Sequence, residues 1–239
     1  FRDHNMAAYP GLRREPENPD PFFARRQTGF HLGGPIKKDR LFFFANFEHM
    51  NQDGAVSVQP RTADFATFGD IFPSDLTTNQ MTVRIDSRLT DKHSLFLRYS
   101  HDGNNGLIPQ SGTGSFPSNW SVNSNWADQS MLSLTSSLTE NFVSELRFSY
   151  WYWKTRNLPP SRTQCPGECV GIGMPQIGIL GTDFTVGNNP LVPQGFDSRR
   201  YHLADNVTWQ RGRHQFRFGG EWQYDCGSGF LTLLEPAAM

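Results

Sequence analysis

The sequence predicts an all-β protein: an antiparallel transmembrane β-barrel, partial, with about eight consecutive strands of a larger barrel. Three observations predict it. Apolar and polar residues alternate with period two in eight segments. The connections between those segments alternate strictly between short and long. The apolar positions are rich in aromatic rings.

The segments fall at 28–36, 40–50, 79–89, 94–102, 127–138, 142–154, 201–209 and 214–225. In 79–89, Met81, Val83, Ile85 and Leu89 share one face, and Gln80, Thr82, Arg84, Asp86 and Arg88 share the other. Leu95, Leu97 and Tyr99 oppose Arg98 and Ser100. Leu146, Phe148, Tyr150 and Tyr152 oppose Glu145, Arg147 and Ser149. Phe216, Phe218, Trp222 and Tyr224 oppose Gln215, Arg217, Glu221 and Gln223. A soluble sandwich also alternates, so alternation alone does not decide. Aromatics near the segment ends, Phe47, Tyr99, Tyr150, Tyr152, Trp209, Trp222 and Tyr224, suit a membrane–water interface, where one edge of the ring stays wet.

Four connections are tight: Lys37–Asp39, Thr90–His93, Thr139–Asn141 and Gln210–Arg213. Three are long: Asn51–Thr78, Gly103–Asn125 and Thr155–Arg200. A membrane barrel has tight periplasmic turns and long extracellular loops because its two ends face different surroundings. Long loops are uncommon in compact soluble domains. With the long loops outside, segment 28–36 runs inward and 214–225 runs outward. Both ends of the chain then lie outside, so it reads as an excerpt from the middle of a larger wall.

Composition agrees. Only 36% of the 239 residues are hydrophobic and mean hydropathy is -0.55. The longest apolar run is Leu41–Ala45, far short of the ~18–20 residues of a membrane helix. A barrel strand needs only about 9–11 residues with every second one apolar. The 22 Lys and Arg against 23 Asp and Glu leave no basic field for nucleic acid.

Several runs resemble the barrel of Oar-like TonB-dependent receptors, which often carry a carboxypeptidase-regulatory-like domain. Arg25-Arg26-Gln27-Thr28-Gly29-Phe30-His31-Leu32-Gly33-Gly34-Pro35-Ile36-Lys37-Lys38-Asp39-Arg40-Leu41-Phe42-Phe43-Phe44 resembles their early barrel. Phe1-Arg2-Asp3-His4-Asn5 is similar to the end of their first strand. Thr139–Arg147 and Asp205–Glu221 resemble later hairpins, in the family's order. The resemblance implies residues 1–27 as the end of a first strand with its extracellular loop, and 28–239 as partial barrel wall. It implies a barrel of about 22 strands, with no plug in this chain. It further implies the bacterial cell outer membrane, outer-membrane lipid around the wall, and a TonB complex engaged through the missing plug region. The function implied is energy-coupled uptake of a large or scarce solute of unknown identity, without enzyme activity or cofactor. The rival readings are a soluble or surface-displayed β-sandwich for binding or adhesion, and a passive porin.

The lumen-facing candidates are Arg84, Arg88, Arg98, Glu145, Arg147, Arg217 and Glu221. Passage of substrate, docking of a plug, and cross-strand charge pairing in a wet interior are all open to them. Cys165 and Cys169 flank a Pro-Gly turn and suit a disulfide, with metal binding or free thiols as alternatives. Gly33-Gly34-Pro35 reads as close backbone approach by a plug or as a strand ending before a tight turn. Gly171-Ile172-Gly173 lacks the third glycine and the strand–helix setting of a nucleotide loop. The seven His show no metal spacing, and no Ser, His and Asp set stands out for catalysis. Phe65, Phe68, Phe72, Phe116, Trp120 and Phe184, in the long connections, either touch a ligand or pack the loops together.

Overall fold

A computed structural model describes residues 2–3, 22–60, 62–109, 115–182 and 184–233. Thirteen strands are present among them: β1 (Arg2–Asp3), β2 (Ala24–Lys37), β3 (Leu41–Asp53), β4 (Ala55–Val58), β5 (Asp70–Pro73), β6 (Leu76–Arg88), β7 (His93–Ile108), β8 (Ser121–Thr139), β9 (Phe142–Leu158), β10 (Ile177–Gly178), β11 (Thr185–Val186), β12 (Gln194–Arg211) and β13 (His214–Leu231). Nine form one antiparallel sheet in the order β1-β2-β3-β6-β7-β8-β9-β12-β13. The short pairs β4–β5 and β10–β11 belong to the long loops. All eight expected strands exist, joined as expected by tight turns. Asp39 (φ 61°) and Gly212 (φ 62°) take the left-handed backbone that two of these turns require. Part of the expected first unit, residues 4–21, lies outside the described residues.

The strands run past the segments legible in the sequence. β7 continues to Ile108, β8 starts at Ser121, β9 reaches Leu158 and β12 starts at Gln194. In these extensions polar residues occupy both faces: Asn104 pairs with Asn125, Asn105 with Ser124 and Asn123 with Asn157. Side-chain alternation ends there, yet the backbone donors and acceptors still need partners, so the ladder continues. Gly33-Gly34-Pro35 does not end a strand. β2 continues to Lys37 with a bulge between Pro35 and Lys37, which absorbs the donor that proline lacks. Gly33 leaves room for the ring of Phe44, whose Cδ2 lies 3.1 Å from where a Cβ would sit.

Register carries one apolar face unbroken across eight strands. Gly34, Phe43, Ile85, Leu97, Leu132, Phe148, Leu203 and Trp222 form one continuous row of partners. The next row is Leu32, Ala45, Val83, Tyr99, Ser130, Tyr150, Tyr201 and Tyr224. No second layer covers this face among the described residues: Val83, Leu97 and Phe218 are 37%, 43% and 56% exposed. On β12 the apolar face runs from Tyr201 to Trp209, the roughly nine-residue length that a tilted strand needs to cross hydrocarbon. Rings bound it at both ends. Tyr150 and Tyr201 lie 5.1 Å apart at the loop end, and Trp209 and Phe216 lie 5.6 Å apart at the turn end. Asp128 and Asp205 stand on this face, each tethered. Asp128 accepts hydrogen bonds from Tyr99 (2.7 Å) and Trp126 (2.6 Å) and pairs with His101 (2.8 Å). Asp205 accepts from Ser144 (2.9 Å).

Candidate functional site

The opposite face is polar, and hollows of the sheet open on it. Because alternation fixes which side chains share a side, register places Arg84, Arg88, Arg98, Glu145, Arg147, Arg217 and Glu221 together on this face. Arg84 grips Asp86 with two nitrogens at 2.7 Å each, and its guanidinium lies 4.3 Å from the ring centre of Phe96. Arg147 pairs with Glu145 at 2.6 Å. Both pairs join residues two apart on one strand, where the cross-strand partner would be the usual choice. Cross-strand pairs form at Arg200–Asp225 (2.6 Å) and His202–Glu221 (3.4 Å). Arg98 donates to Gln129 at 3.2 Å and leaves its Nε buried without a partner. Arg88 and Arg217 make no ion pair among the described residues; each lines a hollow that also holds Glu145.

Nearer the long loops the same face changes character. Trp151 and Trp153 stand on it, their rings 6.2 Å apart and 18° from parallel. Phe196 lies 5.8 Å from Trp153. Sequence reading missed this pair because the run Tyr150-Trp151-Tyr152-Trp153 is aromatic throughout, so period two cannot be seen in it. The tyrosines face the apolar side and the tryptophans the polar side.

The long loops carry the buried core of the described residues. Val58, Phe72, Phe116, Trp120 and Phe184 form it, with Phe65 packed against them. Phe65 stacks on Phe184 at 4.8 Å, Phe68 lies 5.2 Å from Phe184, and Phe72 meets Phe116 edge-on at 5.1 Å. The six loop aromatics therefore pack on one another, with Phe68 at the edge of the cluster and 37% exposed. Polar groups inside the cluster are satisfied. The Trp120 indole donates to the Ser115 carbonyl (2.9 Å) and the Asn119 amide to the Gly187 carbonyl (3.0 Å). Gly187 (φ 86°) can only be glycine, because a Cβ would come within 2.1 Å of the Pro175 carbonyl oxygen. Cys165 and Cys169 are joined in a disulfide with Cα atoms 5.7 Å apart, and Gly167 between them rests against the Phe72 ring. Cys226 is a free thiol.

A family model described as an outer membrane beta barrel domain matches residues 1–75 and 58–230. Among solved structures, the outer membrane transporter YddB from Escherichia coli aligns with a TM-score of 0.65 at 10% identity. That alignment covers 87% of this chain and 26% of YddB. The ferric-catecholate import receptor Fiu of E. coli K12, in its closed form, aligns with a TM-score of 0.46 at 13% identity, over 87% of this chain and 35% of Fiu. The chain thus spans about a quarter of the length of the first of these proteins. No curated protein matches it.

Proposed function

Because the chain belongs to the outer membrane beta barrel domain family and so resides in the bacterial outer membrane, we propose that it is wall and loops of a TonB-dependent receptor of the Oar-like type. One observation carries the reading: a single sheet with one face for lipid and one face lined by charge, whose long loops pack into an ordered cap. A passive pore needs a polar lining but no such cap. The fold shared with an outer membrane transporter supports the same reading.

In this reading the polar face lines a passage and the apolar face meets hydrocarbon. Glu145 and Arg147 pair with each other, and Arg84, Arg98 and Glu221 with Asp86, Gln129 and His202, which keeps the wall wet and rigid, while Arg88 and Arg217 are available to a plug or a passing solute. The cap captures solute. A plug supplied elsewhere in the receptor blocks the passage until it is pulled from the periplasm. The outer membrane holds no ATP, so the work has to arrive mechanically through TonB. The receptor is a binder and conduit and catalyses no covalent change.

The test is uptake by cells with and without the receptor gene, with and without a functional TonB, and after collapse of the proton gradient. Accumulation of a solute that needs receptor, TonB and gradient together supports the proposal. Accumulation that needs the receptor and survives loss of TonB and gradient makes the protein a passive porin.

A further inference from the structure

We propose that the polar face around Trp151 and Trp153 binds a neutral, hydroxyl-rich ring compound, an oligosaccharide of uncharged sugars. The proposal rests on the reading of this face as the lining of the passage. Register gives the site two rungs. One runs Asn46, Thr82, Ser100, Gln129, Trp151 and Arg200. The other runs Glu48, Gln80, Asp102, Ala127, Trp153 and Ser198. A hollow is lined by much of the first rung and reaches Trp151. The aromatic end thus opens onto a strip of amides and hydroxyls, which Arg98 touches at Gln129 and Arg200 closes.

Each part matches one part of a sugar. The indole faces are electron-rich and broad, and they take the C–H face of a flat saturated ring without asking for charge. Trp151 and Trp153 lie nearly parallel, so they offer stations for successive rings of a chain. The rim hydroxyls of those rings need donors and acceptors in equal measure, which amides and hydroxyls supply. Gln129 already accepts from Arg98 and keeps its amide donors for a ligand, and the Thr82 and Ser100 hydroxyls bond each other at 3.2 Å and can exchange that bond. The Asn46 side-chain amide oxygen (Oδ1) is buried without a partner.

Charge argues against the alternatives. Glu48, Asp102 and Asp225 outnumber Arg98, which is bonded to Gln129, and Arg200, which is held by Asp225. A polyanion such as a ferric tricatecholate would meet net repulsion. The Arg200 guanidinium lies 5.7 Å from the Trp151 ring and repels a second cation there, whereas a neutral ring meets no such repulsion. Gln80 donates to Asp102 at 2.5 Å, which satisfies that acid within the wall.

The experiment measures binding of defined probes to the complete receptor in detergent: maltohexaose, cellohexaose, xylohexaose, oligogalacturonate, a ferric tricatecholate and tri-arginine. Tryptophan fluorescence and calorimetry report the affinities. A neutral hexasaccharide is expected to bind best. Trp151→Ala and Trp153→Ala are each expected to weaken it about 10-fold, and Trp222→Ala, on the apolar face, less than about 2-fold. Gln129→Leu is a second probe that leaves the aromatic girdle and strand pairing intact, with a similar loss expected. Heat-modifiable gel mobility checks that each variant is folded. The proposal is overturned by tighter binding of the catecholate, the oligogalacturonate or tri-arginine, by binding of no neutral sugar, or by sugar binding that all three polar-face variants leave unchanged. None of these outcomes involves TonB, so energy-coupled uptake of another solute would leave the transport reading standing while this one fails.

Discussion

Phe65 and Phe184, from two different long loops, stack face to face with ring centres 4.8 Å apart and planes 6° from parallel. Phe68, Phe116 and Phe72 continue the contact, so three loops share one small core. The sheet below is a single layer whose apolar face needs lipid, whereas this cluster buries its own rings against each other. The cap and the wall are thus held by separate forces.

Phe184→Ala should therefore loosen the cap and spare the wall. Deleting a buried phenylalanine costs about 3–5 kcal/mol in a well-packed core. Hydrogen exchange should speed up throughout the described parts of residues 55–73, 115–120 and 184–187, while the rungs between β9 and β12 keep their protection. Equal loss of protection in both regions would show that cap and wall unfold as one unit.

The two faces make opposite predictions for charge. Leu97→Arg or Phe148→Arg puts a cation on the apolar face at mid-band, where the cost in a barrel is about 2–4 kcal/mol. Gln223→Arg, at an exposed position of the polar face between Glu221 and Asp225, should cost far less, roughly within 1 kcal/mol. Urea titration of the complete receptor refolded into phospholipid vesicles measures both. A larger penalty for Gln223→Arg would invert the assignment of the faces.

Most of the wall was legible in the sequence. Alternation in 79–89 and 214–225 and the tight turns at Asp39 and Gly212 fixed strands, faces and hairpins, because a buried or lipid-covered face imposes period two on the side chains. Three features were not legible. The upper ladders were hidden because Asn104, Asn105, Ser124 and Asn125 are polar on both sides. The tryptophan pair was hidden by the tyrosines interleaved with it. The loop core was hidden because its partners, such as Phe65 and Phe184, are far apart in the chain and only folding brings them together.

Asp197 gives the loop-side stem a pH dependence. It lies beyond Tyr201, outside the membrane-spanning part of β12, and receives Arg156 at 2.5 Å and the Tyr152 hydroxyl at 3.2 Å. The Arg156 hydrogen bond is the largest influence, and it holds the Asp197 carboxyl below the ordinary 3.8. Its stabilising effect is present above that unfolded-state value and is lost as pH falls through the lower folded-state value. Asp197→Asn should remove about 1 kcal/mol at neutral pH and abolish this part of the acid dependence. Hydrogen exchange at Tyr152–Arg156, followed as pH drops, checks it. An unchanged acid profile in the variant would mean that the pair contributes nothing.

The cysteines should separate cleanly by chemistry and side. Cys165 and Cys169 sit in a solvent-side loop and close a small ring, whose loss in the chain-entropy picture costs about 2 kcal/mol. Cys226 faces the apolar side opposite Arg199, near the tyrosine girdle. In intact outer membranes a bulky water-soluble maleimide should label none of the three. N-ethylmaleimide, small enough to enter the interface, should label Cys226 alone. After reduction N-ethylmaleimide should take two further equivalents, at Cys165 and Cys169, which are 6% and 3% exposed and reach the bulky reagent only as the 161–176 segment loosens. Exchange in the 161–176 segment and around Phe72, against which Gly167 rests, should then rise, while the sheet stays protected. Labelling of Cys226 by the bulky reagent before reduction would place that edge of the apolar face in water, and the lipid contact assigned to β13 would have to be withdrawn there.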